Sequence, residues 1–385
     1  MDTRFAISLW GADYARTFCE VSLPCQLAPG NLPALAHGGN IVFTIYTDGA
    51  TRPQLEMHGG ISTLRGLADV EILDVAEVSF GAKSIAAQAD AVPQAAKKHE
   101  LQSLCYMHAL DGAAAAGAIL FPLAADMVFS DTALAYFAER ARRGKKAVMA
   151  NFLRLARETA EPALIQALAS SPNGLSERAL CALALAHLHP VQQAFDIGRG
   201  RISEYPIQLA WTAANGSLLV RGLFPHPIAV RPTPAATRFD STIDYDYAFR
   251  LAPDADDIEV VRDSDDALMC RLSPAAHLSD GHRLIEARPE SVAEHIVRET
   301  NRRHLEFLET LCLFHAGEPG EPELEAARRS VAFTSAVVDA IRERVERGSR
   351  NARDLVDLKS FLGPVELYLS PQRRALVNAV VTPDD

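Results

Sequence analysis

Residues 117–132, GAILFPLAADMVFSDT, constrain this chain more than any other stretch. Positions 118–123 carry no polar side chain, which is the pattern of a strand buried on both faces. Such a strand requires a covering layer on each side of its sheet. Two carboxylates, Asp126 and Asp131, stand where the chain leaves the run, and Leu134, Phe137, Ala138 and Ala141 then recur at helical spacing until Gly144. In open α/β sheets ligands bind beyond the carboxyl ends of strands, so an acid placed there is a candidate to hold a ligand or a metal.

The flanking segments fit that architecture. Residues 5–10, 41–46, 70–75 and 147–152 read as further buried strands, and residues 14–27, 54–67 and 94–110 as helices between them. Alternation of this kind predicts an α/β fold, a mostly parallel sheet with helices on both faces. None of the strand-to-helix turns carries GxGxxG or GxxxxGK[ST], which argues against a dinucleotide dehydrogenase or a P-loop nucleotidase. Residues 159–189 are helical, broken at Pro172-Asn173-Gly174, with Ser176 as an N-cap. The pattern then changes. A hairpin is expected around Asn215-Gly216, followed by short strands at 226–231, 258–261 and 267–272. Amphipathic helices are expected at 289–314, 323–347 and 351–362. The chain thus divides into an α/β half (1–155), a helical insert with a mixed β region (156–285), and a helical C-terminal extension (286–385) that offers a surface for oligomerisation.

With 385 residues, 48 % of them apolar, the chain is able to bury a large core. A net charge of −11 excludes nucleic acid or an anionic membrane as the principal partner, while a phosphorylated small ligand needs only a few local donors. No apolar stretch reaches the roughly 18–20 residues of a membrane span, and no signal peptide is legible at the N-terminus. The six cysteines form no CxxC pair, and they read as reduced thiols of a cytoplasmic protein.

The first strand FAISLWG, the second strand IVFTIYTD, the helix carrying Tyr106 and His108, the run GAILFPLAADMVFSD and the later LFPHPIAVRP together resemble a GT-A-type glycosyltransferase. They are similar to bacterial members of the nucleotide-diphospho-sugar transferase superfamily, over roughly residues 5–270. The resemblance implies a nucleotide-diphosphate sugar as donor, an acceptor of unknown identity bound by the mixed β region, and a divalent cation, Mn²⁺ or Mg²⁺. One departure stands out. Where the family's DxD motif has two acids, this chain has Ala124-Ala125-Asp126.

Asp126 is the candidate metal ligand, because a leaving diphosphate develops charge that a carboxylate-bound cation neutralises. Basic side chains and helix N-termini are able to do the same without metal. His226, fixed between Pro225 and Pro227, is the candidate second ligand. Asp131 is expected as N-cap or first-turn acid of the helix that follows it. Trp10 and Gly11 at the end of the first strand, Asp48 at the end of the second, and His108 are candidates for contact with the donor. Asp244 and Asp246, on an expected strand, would face one side and supply the base that takes the acceptor's hydroxyl proton. His187 and His189 diverge on an expected helix and are unsuited to a shared metal. Two other readings remain open: a metal-assisted nucleotidyl or phosphate-ester enzyme, and a catalytically inactive α/β binding protein, which the missing acid favours.

Overall fold

A computed structural model describes residues 1–240, 242–278 and 283–347. The strands used below are, along the chain, β1 (Thr3–Ser8), β2 (Ile41–Thr47), β3 (Asp69–Asp74), β4 (Ile119–Ala124), β5 (Met127–Phe129), β6 (Ala147–Ala150) and β7 (Leu153–Ala156). They continue with β8 (Gln208–Thr212), β9 (Leu218–Gly222), β10 (His226–Val230), β11 (Ile258–Val260), β12 (Met269–Ser273) and β13 (Leu311–Phe314).

The central sheet has seven strands in the order β11-β6-β10-β4-β1-β2-β3. All run parallel except β10, which is antiparallel to both of its neighbours. Every residue of β4 is buried, as its apolar run requires. Phe5 on β1 is in register with Phe43 on β2 and Phe121 on β4, and its ring stacks on both, with centroids 5.3 and 4.6 Å apart. Such cross-strand aromatic contacts pin the register. On one face Phe5, Ile7, Phe43 and Phe121 pack with Phe18, Leu23, Leu134 and Phe137. On the other, Ala6, Tyr46 and Leu120 pack against Leu104, Leu110 and Ala113 of the helix Gln94–Ala116. The α/β sheet with helices on both faces is therefore present.

The strand His226–Val230 does not belong to a separate β region. It inserts between β4 and β6 and completes the sheet begun by residues 1–150. Its pairing with β4 is restricted to Val230 and Leu120, two residues before Pro122. Proline has no N–H to give a neighbouring strand. The Pro122 carbonyl, which faces the same way as its nitrogen, instead accepts from His226 Nε2 at 3.4 Å. A bulge between Pro227 and Ala229 bends β10 further. The two strands part just where a ligand site is expected.

Two three-stranded sheets and two two-stranded ribbons accompany the central sheet among the described residues. β4 runs on into β5 and β6 into β7, and these flank β12 in a three-stranded sheet, β5-β12-β7. The hairpin around Asn215-Gly216 forms as β8 and β9, and β13 pairs with β9. Residues 311–314 are thus a strand, not the end of a helix, because β9 offers the apolar run LCLF an open edge. The stretch 289–309 forms two helices, Pro289–Glu299 and Arg302–Glu309, and the long helix Glu321–Glu346 packs beside the first. The expected helix at 351–362 lies outside the described residues. Among them no helix is long and apolar enough to cross a membrane, and all six cysteines are buried and free.

Four local expectations are corrected. Residues 52–65 form two short helices, split where the His58 ring accepts from Gly60 N at 3.1 Å. His189 caps the next short helix through Val191 N at 3.0 Å, so it does not share a helix with His187. Asp131 does not cap a helix. Its Oδ1 accepts from Gly30 N at 2.7 Å, a contact so close that a Cβ on Gly30 would collide with it. Asp244 and Asp246 lie on a π-helical turn, Ile243–Tyr247, not a strand, so a two-residue spacing separates them instead of aligning them.

Candidate functional site

β1 is followed by helical turns on one face of the sheet, and β4 is preceded by Gln94–Ala116 on the other. The strand order reverses between these two strands, and that is where open sheets bind ligands. A cavity of about 250 Å³ opens there. Its walls include Trp10 and Tyr14 beyond β1, Lys98, His99 and Tyr106 from the helix, Asp126 beyond β4, His226 at the start of β10, and Asp244. Tyr106 ties the helix to the sheet by donating to the Leu123 carbonyl at 2.9 Å.

Arg154 and Arg271 form another wall. The register of β7 and β12 sets Arg271 beside Arg154, while β5 sets it opposite Met127, next to Asp126. The Leu272 N–H to Asp126 carbonyl bond, 3.0 Å, locks this register. Arg271 Nη2 donates to both oxygens of Asp126, at 3.2 and 3.3 Å. Arg154 Nη1 donates to Ser273 Oγ at 2.6 Å. Both guanidiniums lie over the Phe152 ring, 5.4 and 5.5 Å from its centroid. Burial, then the charge of Arg271, pushes the Arg154 pKa down to about 10, with Asp126 and Asp244 opposing the fall. It stays charged at neutral pH.

His226 is 4 % exposed, and its Nδ1 has no hydrogen-bond partner. The nearest carboxylate oxygen, Asp244 Oδ2, is 3.9 Å away, within reach of charge but beyond a hydrogen bond. Burial opposes ionisation of Asp244, but His226, Thr242 and Arg271 outweigh it and hold the carboxyl well below the usual carboxylate range.

Of the residues singled out in the sequence, Trp10, Asp126, His226 and Asp244 meet in this cavity. Asp246 is engaged by Arg250 Nε at 2.7 Å. Asp48 accepts from Thr51 N at 2.7 Å, and Gly11 N donates to Thr51 Oγ1 at 2.9 Å, so both serve the turn beside the cavity. His108 lies elsewhere, its Nδ1 2.7 Å from the Tyr46 hydroxyl. Burial, against Asp111 and Glu71, lowers its pKa. The arginines were missed. The signal available was a lone Arg inside each of two short apolar runs, FLRLA and LMCRLS.

A divalent cation fits poorly at Asp126. Both carboxylate oxygens are already taken by Arg271, and a second guanidinium stands beside it. The group of three metal-ligating side chains among the described residues lies elsewhere. Asp263, Asp265 and His315 bring ligand atoms within 4.8 Å of one another, a set able to hold a metal ion.

No protein-family model matches the chain, and comparison with curated proteins and with solved structures finds no similar protein.

Proposed function

We propose that the protein is a glycosyltransferase that takes a nucleoside-diphosphate sugar into the cavity beyond β1 and β4 and passes the sugar to an acceptor. The observation that carries this reading is the convergence of Trp10, Asp126, His226 and Asp244 with two arginines at the point where the strand order reverses. Trp10, Asp126 and His226 come from segments that the GT-A resemblance singles out, and Asp244 from the stretch expected to supply the acceptor-side base. The cationic wall suits a diphosphate leaving group, whose developing charge fixed donors stabilise. Asp244 is the proposed base. Held ionised, it is a weak proton acceptor, and a bound diphosphate, being a nearby anion, raises its pKa toward a useful value.

The test is a thermal-shift and calorimetric screen against nucleoside-diphosphate sugars, with donor hydrolysis followed in parallel. At 100 times its Kd a donor stabilises by about 2.7 kcal/mol. Binding with slow hydrolysis that Asp244→Asn abolishes is expected. Binding without turnover under any acceptor would favour the second reading, a donor-binding protein without catalysis, which the pairing of Asp126 with Arg271 supports.

A further inference from the structure

We propose that the cavity receives the phosphate groups of its ligand on Arg154 and Arg271 without a divalent cation, and that Asp126 is the resident counter-ion of Arg271, not a metal ligand. The proposal deepens the transferase reading where it concerns nucleotide sugars, but its core, a metal-free diphosphate site, stands apart from it.

The backbone register forces the two guanidiniums together. Arg271 and Arg154 are direct partners in the parallel ladder of β12 and β7 and so present their side chains on one face. Like charges so placed repel, and a protein interior does not screen them as water does. One carboxylate, Asp126, bonds to Arg271, while the Arg154 guanidinium donates to the neutral Ser273 hydroxyl. Counting the lining side chains, Arg154, Arg271 and Lys98 face Asp126 and Asp244. This excess of positive charge sits in a chain whose net charge is −11.

Two donors or acceptors are also left unspent. Arg271 Nε and His226 Nδ1 are buried and have no partner. A guanidinium offers planar, paired donors that match phosphate oxygens, and Phe152 holds both planes from below. A diphosphate bridging the two arginines would satisfy Arg271 Nε, relieve the repulsion and need no cation. A metal at Asp126 would have to displace Arg271 and would add a third positive charge to the same wall.

Calorimetric titration with inorganic pyrophosphate tests this, in EDTA and again with Mn²⁺, followed by nucleoside-diphosphate sugars under the same two conditions. Pyrophosphate is expected to bind equally well in EDTA. Arg154→Lys and Arg271→Lys, which keep the charge but lose the paired donors, should each weaken it tenfold or more. Arg154 does not hold Asp126, so its variant remains informative if the Arg271 variant folds poorly. The sign at Asp126 discriminates: Asp126→Asn removes a competing anion and should tighten pyrophosphate a few-fold, whereas loss of a metal ligand would weaken it. Binding that requires Mn²⁺, that is indifferent to both lysine variants, or that is absent at millimolar pyrophosphate overturns the proposal. If pyrophosphate behaves as stated while no nucleotide sugar binds, the proposal stands and the transferase reading falls.

Discussion

The cavity and the His315 cluster are built from the same residue types, aspartate, histidine and arginine, and suit opposite guests. In the cavity cations exceed anions, and Arg271 Nε and His226 Nδ1 are buried without a hydrogen-bond partner. Around His315 the balance is reversed. Arg178 binds Asp265 through Nε and Nη2 at 3.2 and 2.9 Å and also pairs with Glu318, while Asp263 lies against His315. The His315 ring is fully buried, with Gly317 O on Nδ1 and Asp263 Oδ1 at 2.8 Å from Nε2. A neutral imidazole has one N–H, so one of these contacts needs a second proton or a metal ion. The lesson is that residue type does not decide what a buried cluster takes. The sign of the excess charge, and whether its donors are already spent, decides it.

The largest expected effect tests whether Asp126 is truly committed to Arg271. Arg271→Met leaves a carboxylate that is 6 % exposed without its cation, which should cost about 3 kcal/mol by urea denaturation. Adding Asp126→Asn should restore most of it, because the two substitutions remove one interaction. Additive losses would mean the pair is not a unit and would erase the contrast with the metal-capable cluster.

Acid titration separates the cavity from the C-terminal half. His304 is fully buried, donates from Nε2 to Tyr245 O at 2.8 Å and accepts Asn301 N at Nδ1, so it is neutral. Burial pushes its pKa down to about 4, against the Tyr245 carbonyl and Asp246; burial does the same to His295. The unfolded chain therefore takes these protons first. Their effect is absent above about pH 6.5 and grows as pH falls to about 4, reaching roughly 2–3 kcal/mol per histidine. Asp244 shifts the other way: its folded pKa lies below its ordinary one, so its contribution is present above about pH 4 and fades only below. In urea melts between pH 7 and 4, His304→Gln should lose less stability on acidification than the parent protein. An equal loss would place the acid sensitivity elsewhere.

The smallest effect concerns the cluster itself. Zn²⁺ or Mn²⁺ at ten to thirty times its Kd should stabilise the protein by about 1–2 kcal/mol. His315→Ala should abolish that gain and Asp126→Asn should leave it intact. A metal-induced shift lost with Asp126 instead would exchange the roles of the two regions.

Much of the scaffold was legible. The apolar run of residues 118–123 became β4, the strands at 5–10, 41–46 and 70–75 fell within a residue or two, and Ser176 caps its helix as expected. These depend on periodicity and on local backbone chemistry, which a short window contains. Asp126 and His226, expected as metal ligands, both line the cavity, one singled out by its place at a strand end and one by its flanking prolines. Their partners were not. Arg271 reaches Asp126 across 145 positions, and nothing near either residue specifies the other. The misreading of 243–247 as strand has a similar origin, because alternating tyrosine and aspartate suits a strand while packing of Ile243 and Tyr247 into the core selects a tight helical turn.

The sequence by itself determined that this chain is an α/β protein with a doubly covered sheet, and which strand would end in a carboxylate, because burial on two faces is written directly into composition and period. Only the tertiary structure decided what that carboxylate meets. The insertion of β10 antiparallel beside Pro122 opened the cavity, and the register of β5, β12 and β7 brought two guanidiniums against one aspartate. Charge acts through distance, and distances between residues far apart in sequence exist only once the chain has folded.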